Sequence, residues 1–398
     1  MMKSQQKIKI VSSKENFIKI IPIVRKISDE YDLCDYCTGR LFAKKLGLSS
    51  NKLLGKKIRA FLEKKLPKNC YICKNILSNL DTYLKKMLEI SHGYDFSTFV
   101  VGAMLKPSVT DRDDVIRSKF KLRGIDSVKT DITQQLGKKF AKKNKTNVEH
   151  ISPDLTFTIN FKKDYCELKA RSLLLFGRYN KTIRGFPQKQ TPCNNCDGIG
   201  CVSCNFHGIS NFNSVEGKIS KILYDKFGCT KTKFTWIGGE DKSSLVLGKG
   251  RPFFVKLQNP KKRKVRLVKK YHYDGIIIHD LKILDQIPKQ IPKFRSKVKL
   301  SVVAQKTINP KNLKLLKGLT KIPILILEKT NKGNKKSIYE IKYKKSSTNS
   351  FLLWMTIQGG ISIKRFIEGN SIKPNLTEIL ENKCTCKQFD FNEIDLLK

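Results

Sequence analysis

The sequence predicts an α+β chain: a helical, cysteine-bearing front, then segments in which short strands and helices alternate. Three observations carry this. Residues 1–95 place apolar residues at three- and four-residue spacing, as in KENFIKIIPIVRKISDEYDLC and SSNKLLGKKIRAFLEKKL, the period of an amphipathic helix. From residue 96 onward, short runs rich in β-branched and aromatic residues recur, STFVVGAML and DLTFTINF among them, and these read as strands. Eight of the twelve cysteines fall into four C-x-x-C pairs, a spacing that ties chain segments together through a metal.

Taken in order, the helical front spans residues 1–95. Residues 96–185 alternate strands with the helices DRDDVIRSKFKLRG and VKTDITQQLGKKFAKKN, for which Asp111 and Thr130 are the candidate caps. This segment closes on YCELKARSLLLFGRYNKTIRGFPQ, a strand leading into a basic, aromatic loop. Residues 186–212 enclose the cysteine-rich insert CNNCDGIGCVSCNFH. Residues 213–398 carry the strand candidates KFTWIGG, RPFFVKLQ, GIIIHDLKIL, KVKLSVVAQ, IPILILEKT, SIYEIKYKK and FLLWMTIQ. NPKNLKLLKGL and a segment near IKRFIEG read as helices there, and the basic run NPKKRKVRLVKK as a charged loop between strands. No solenoid-type repeat is present.

The chain has 398 residues, with 80 Lys+Arg against 34 Asp+Glu and a net charge of +46. A polyanion is the natural partner of that charge, because each neutralised phosphate releases condensed counterions. A lysine-rich composition alone does not account for the excess, since glutamate has not risen alongside lysine. The apolar runs fall short of the roughly 20 residues of a membrane span, and MMKSQQKIKIVSSKE lacks the apolar block of a signal peptide. The expectation is a cytoplasmic protein that binds nucleic acid, with neither a membrane nor an obligate protein partner.

Thiolates favour zinc, and two C-x-x-C hairpins supply a closed tetrahedral shell. Cys34, Cys37, Cys70 and Cys73 form one expected site, placed to tie two helical segments together. Cys193, Cys196, Cys201 and Cys204 form a second, with Gly198 and Gly200 permitting the tight reversal between its pairs. His207 is near enough to compete as a ligand. Both sites are structural in this reading, so no cofactor is assigned to the chemistry.

The candidate for the chemistry lies in IGGEDKSSLVLGKGRP, residues 237–252, where Glu240 and Asp241 interrupt a strongly cationic chain. One alternative is an ATP-using, adenylating loop of the SGGxDS type. Such a loop must launch a helix, and Gly248, Gly250 and Pro252 oppose one by about 1 kcal/mol for each glycine and 3 kcal/mol for the proline. The other is an aspartate on a strand–loop–strand, ionised among cations and aimed at a nucleotide drawn out of its helix. Isomerising uridine to pseudouridine needs one such carboxylate and no metal or nucleotide cofactor.

The block GGEDKSSLVLGKGRPFFVKLQNPKKR resembles the G-R-E-D-x-x-x-x-x-L-G-x-G-R-P-F…NP-R-x-R signature of the archaeal/eukaryotic tRNA pseudouridine synthases that modify positions 54 and 55 of the TΨC arm. LLLFGRYNKTIRGFPQ is similar to that family's G-R-Y-x-K-x-x-R-x-x-P-Q segment. The insert CNNCDGIGCVSCNFHG and the later GGISIKRFIEG match further blocks in the same order. The resemblance implies a zinc-bearing front, a THUMP-like α/β RNA-binding domain, and a catalytic domain on a largely antiparallel sheet. It puts Asp241 at the catalytic aspartate. Arg178, Tyr179, Lys181 and Arg184 read as a basic loop with one aromatic, suited to phosphate contacts and a stacked base of the tRNA, and Arg251, beside Pro252 at a strand start, as a phosphate contact near the carboxylate. The departures are specific. Gly239 stands where the family has an arginine expected to hold the carboxylate, with Lys242 or Arg251 as spatial replacements. KVKLSVVA lacks the tyrosine that stacks on the target base, and Ser362 replaces another tyrosine. A catalytically impaired tRNA-binding or folding protein is the alternative these departures raise.

Overall fold

The helical period of the front becomes α1 (Met2–Glu30), α2 (Asp35–Ala43), α3 (Asn51–Phe61) and α4 (Leu80–Ser91). The structure is a computed structural model that describes residues 2–48, 50–327 and 334–397, and it divides into two units, Met1–Arg171 and Ser172–Lys398. In the first unit the helices are followed by β1 (Thr98–Met104), α5 (Pro107–Lys119), α6 (Val128–Asn144), β2 (Asn147–Val148), β3 (Leu155–Asn160) and β4 (Tyr165–Ala170). The sheet order is β2-β1-β3-β4, with β1 parallel to β2 and β3 and only the β3–β4 pair antiparallel.

Alternation along β1 and β3 buries Phe99, Val101, Leu155, Phe157 and Ile159 on one face. Phe140 of α6 seals that face, its ring 4.7 Å from Phe99 and 4.9 Å from Phe157. A single core runs from Phe17 to Ala170, so the helical front and the sheet share one interior. Arg40 of α2 reaches the carboxylate of Asp113 on α5, and both side chains are only 1% exposed. The helix starts differ from the sequence reading. Pro107 occupies the first turn of α5, leaving Asp111 inside it, and the Ser127 hydroxyl accepts from the Thr130 backbone N–H at 3.1 Å to cap α6.

The second unit contains β5 (Leu173–Lys181), α7 (Val215–Phe227), β6 (Lys231–Trp236), β7 (Leu245–Gln258), β8 (Lys270–Tyr273), β9 (Ile276–Leu284) and β10 (Phe294–Ala304). After these come α8 (Pro310–Leu315), β11 (Ile324–Ile326), β12 (Asn334–Lys336), β13 (Ile338–Lys345), β14 (Ser350–Gln358), α9 (Ile363–Glu368), β15 (Ile372–Lys373), α10 (Leu376–Leu380) and β16 (Cys384–Leu396). The main sheet runs β13-β14-β10-β16-β7-β5-β9-β8, with β6 also on β7, and β12-β11-β15 form a small second sheet. Every pair in the main sheet is antiparallel except β7 with β16. The expected α+β class with a largely antiparallel second half is what the chain adopts.

Segment YCELKARSLLLFGRYNK makes two strands in different sheets. β4 closes the first unit's sheet, whereas β5 lies between β7 and β9 in the second. Of the strand expected at IPILILEKT, Ile324–Ile326 is formed, while residues 328–330 lie outside the described residues. No described helix is long and apolar enough to cross a membrane.

Candidate active site

The turn Ile237–Ser244 joins β6 to β7, which pair antiparallel. The glycines therefore open a strand–loop–strand, and the helix that an adenylating loop requires is not there. Gly238 has φ +75, and a Cβ there would fall 2.7 Å from the Arg251 guanidinium and the Phe294 ring. Only glycine fits that place.

Asp241 projects from this turn with its side chain 32% exposed. One carboxylate oxygen accepts from the backbone N–H and the hydroxyl of Ser243, both at 2.9 Å. The other lies 2.6 Å from the Lys364 ammonium in the first turn of α9. Partial burial pushes the Asp241 carboxyl upward, but the Lys364 and Ser243 contacts outweigh it and hold it below the usual carboxylate value. Lys364 is raised in turn, chiefly by its hydrogen bond to Asp241. The site thus presents an ionised carboxylate at neutral pH.

The neighbouring Glu240 has the opposite environment. Its side chain is fully buried, and Arg251, 1% exposed, donates to it at 3.2 Å. Burial raises the Glu240 carboxyl, against the pull of Arg251 and Lys181. Arg251 also donates to the carbonyls of Ile237 at 2.9 Å and Gly239 at 3.1 Å.

The β5 segment completes a cradle beneath the turn. The Lys181 ammonium, fully buried, donates to the carbonyls of Phe186 at 2.8 Å and Asp241 at 2.9 Å. Arg184 donates to the Ser243 carbonyl and pairs with Asp390 of β16 at 2.6 Å. The Gly185 backbone N–H donates to the Lys242 carbonyl at 2.8 Å. Tyr179 is buried with its hydroxyl 3.0 Å from the Gln188 amide. Arg178 ties β7 to β16 by donating to the carbonyls of Gly250 at 2.9 Å and Ile394 at 3.0 Å.

Of the five side chains expected to meet tRNA, three are withdrawn from the surface. Tyr179, Lys181 and Arg251 are inside the protein, and the two half-buried arginines bond to backbone. Arg178, Lys181, Arg184 and Arg251 share one physical task, to occupy carbonyls of the turn that carries Asp241 and of the chain beside it. Nor do Arg251 or Lys242 replace the arginine missing at Gly239. Arg251 serves Glu240, Lys242 is exposed, and the carboxylate is held by Lys364, which the sequence reading did not single out.

Asp241 and Lys364 stand at a cavity of about 380 Å³, within the range of small-ligand sites. Phe294, Ile357, Ile361, Phe389 and Phe391 supply its apolar walls, and Gly238, Gly239, Gly359 and Gly360 leave it open. Phe294 is the half-buried aromatic ring of the set. It sits where a Cβ on Gly359 would clash at 2.4 Å.

The cysteine clusters form as the spacing predicts. Cys34, Cys37, Cys70 and Cys73, all buried, bring their sulfurs within 4.8 Å of one another, and so do Cys193, Cys196, Cys201 and Cys204. The Cys34 and Cys73 sulfurs are 3.7 Å apart, the edge expected of a tetrahedron with Zn–S bonds of about 2.3 Å. The donor sets fit structural zinc. His207 is not part of the second cluster. Its ring stacks on Tyr224 at 3.8 Å and its Nδ1 meets the Thr230 carbonyl at 2.9 Å.

Two family models match the chain: "Pus10, C-terminal" over residues 174–395 and "Pus10 THUMP domain, archaeal" over residues 83–160. The tRNA pseudouridine synthase Pus10 of Nitrosopumilus maritimus is 50% identical over 95% of this chain and 98% of its own length. That of Cenarchaeum symbiosum is 35% identical over 92% and 90%, and that of Pyrococcus furiosus 27% over 94% and 98%. The chain belongs to the Pus10 family of tRNA pseudouridine synthases.

Proposed function

We propose that this chain isomerises uridine 54, uridine 55 or both in the TΨC arm of tRNA, with Asp241 as the catalytic carboxylate. The single observation that carries the reading is Asp241: ionised, 32% exposed, and fixed at the mouth of an apolar cavity by Lys364 and Ser243. The reaction breaks the C1′–N1 bond, rotates the base and joins C1′ to C5. The C5 hydrogen leaves to solvent as N1 gains one, so no external oxidant, reductant or nucleotide takes part. A carboxylate assists glycosidic cleavage, an apolar wall accepts the extruded ring, and water exclusion keeps the detached base in place. Phe294 is the ring on which that base stacks, replacing the tyrosine missing from KVKLSVVA. The net charge of +46 draws the folded tRNA in, and the THUMP-matching segment contributes RNA contacts. Both cysteine clusters hold structural zinc, remote in role from the chemistry.

The test is release of tritium from an unmodified tRNA transcript labelled at uridine C5. The intact protein is expected to release label without ATP or added metal, and Asp241→Ala to release none while binding tRNA with unchanged affinity. Label release by Asp241→Ala at the intact rate refutes the assignment.

A further inference from the structure

The inward-facing row of β10 is Ser296, Val298, Leu300, Val302 and Ala304. Its one polar member is the first, where the strand reaches the cavity. Strand register fixes which way that side chain faces. Ser296 is opposite Ile357 on β14, Val298 opposite Phe391 and Leu300 opposite Phe389 on β16. Directly opposed residues share a face of the sheet, and Ile357, Phe389 and Phe391 line the cavity together with Ser296. Ser296 is 2% exposed, no hydrogen bond joins its hydroxyl to another described residue, and the little surface it keeps faces the cavity it lines. Hydroxyls in the interior are ordinarily satisfied by protein or by water, and alanine would have completed the apolar row. The polar atom therefore awaits a partner that comes from the cavity.

An extruded uracil brings two carbonyl oxygens and an N–H, all stripped of water on entry. Phe294, Ile357, Ile361, Phe389 and Phe391 offer these atoms nothing. Asp241 and Lys364 are engaged with each other at the glycosidic end. We propose that Ser296 is a base-binding residue whose hydroxyl donates to a carbonyl oxygen of the target uracil. This rests on the reading that the cavity receives an extruded uridine. A hydroxyl is both donor and acceptor, so the contact orients the ring and offsets its desolvation, and Asp241 then meets C1′ and N1 at a fixed distance.

The experiment measures kcat/KM for the intact protein and Ser296→Ala on three tRNA transcripts. These carry uridine, 2-thiouridine or 4-thiouridine at the target, sulfur being the poorer acceptor. Ser296→Ala is expected to fold like the intact protein, bind tRNA equally well and lose about tenfold on uridine. With one of the two thio substrates the intact protein loses a similar factor and the variant loses nothing further, which names the oxygen. Wild-type turnover of uridine by Ser296→Ala, or losses that multiply on both thio substrates, overturns the proposal while leaving the isomerase reading intact. Absence of turnover by the intact protein removes both.

Discussion

At the residue scale, three side chains carry the chemistry: Asp241, Lys364 and Phe294. Asp241→Ala is expected to lower kcat by roughly 10⁴-fold with little change in tRNA affinity, measured by single-turnover kinetics beside a binding titration. Lys364→Met removes the cation that holds the Asp241 carboxyl low. The acid limb of the rate profile should then move to higher pH, because the carboxylate takes up a proton sooner once unpaired. The linkage has the same sign. A depressed carboxyl contributes stability that is present above its ordinary value and lost as pH falls through its folded value, so Lys364→Met should also flatten that acid-side loss. Phe294→Ala should reduce kcat/KM by about 5- to 150-fold, the span of roughly 1–3 kcal/mol of base stacking. Asp241 was legible in the sequence because an acidic pair between glycines is conspicuous in a lysine-rich chain. Lys364 was not, since one lysine among so many carries no local mark. The nearest thing to a signal is its seat in the first turn of α9, where the helix dipole disfavours a cation.

At the element scale, the turn between β6 and β7 is held from beneath by β5 and β7, and its carbonyls are occupied by buried cations. Arg251→Met leaves Glu240 as an uncompensated buried charge and should destabilise the second unit by about 3–5 kcal/mol. Arg251→Met combined with Glu240→Gln removes both charges and should recover most of the denaturation midpoint, while turnover stays low because Ile237 and Gly239 have lost their donor. The Glu240 carboxyl is raised by burial, so the folded state takes up that proton more readily than the unfolded one. Its contribution makes stability fall as pH rises from the ordinary carboxyl value through the raised one, and Glu240→Gln should abolish that component. Most strands were readable from alternation, from STFVVGAML to FLLWMTIQ. The strands without such a signal are β2, β8, β12, β15 and β16, and the longest of them is β16, CTCKQFDFNEIDL, which lies mid-sheet between β10 and β7. Its register shifts against β10 at two places, so its buried residues do not keep a period of two. The burial of Lys181 and Arg251 leaves no mark in the sequence for a related reason: arginine and lysine look the same whether they meet phosphate or cap backbone carbonyls.

At the scale of the whole molecule, the two units have separate cores and a four-cysteine cluster apiece. Cys37→Ser should reduce bound zinc by about one ion per chain and lower the unfolding temperature of the first unit, because the binding free energy of a structural metal is folding free energy. Metal analysis beside calorimetry reads both. The C-x-x-C spacing made these clusters legible, whereas the shared core of the helical front and the sheet was not, because long-range packing leaves no periodic trace. The most direct measurement of the central claim is nucleotide-resolution mapping of pseudouridine in an unmodified tRNA transcript after incubation with the intact protein and with Asp241→Ala. The expected result is pseudouridine at position 54, 55 or both with the intact protein and at neither with the variant. An unmodified TΨC arm after exposure to the intact protein, or the same modification by Asp241→Ala, contradicts it.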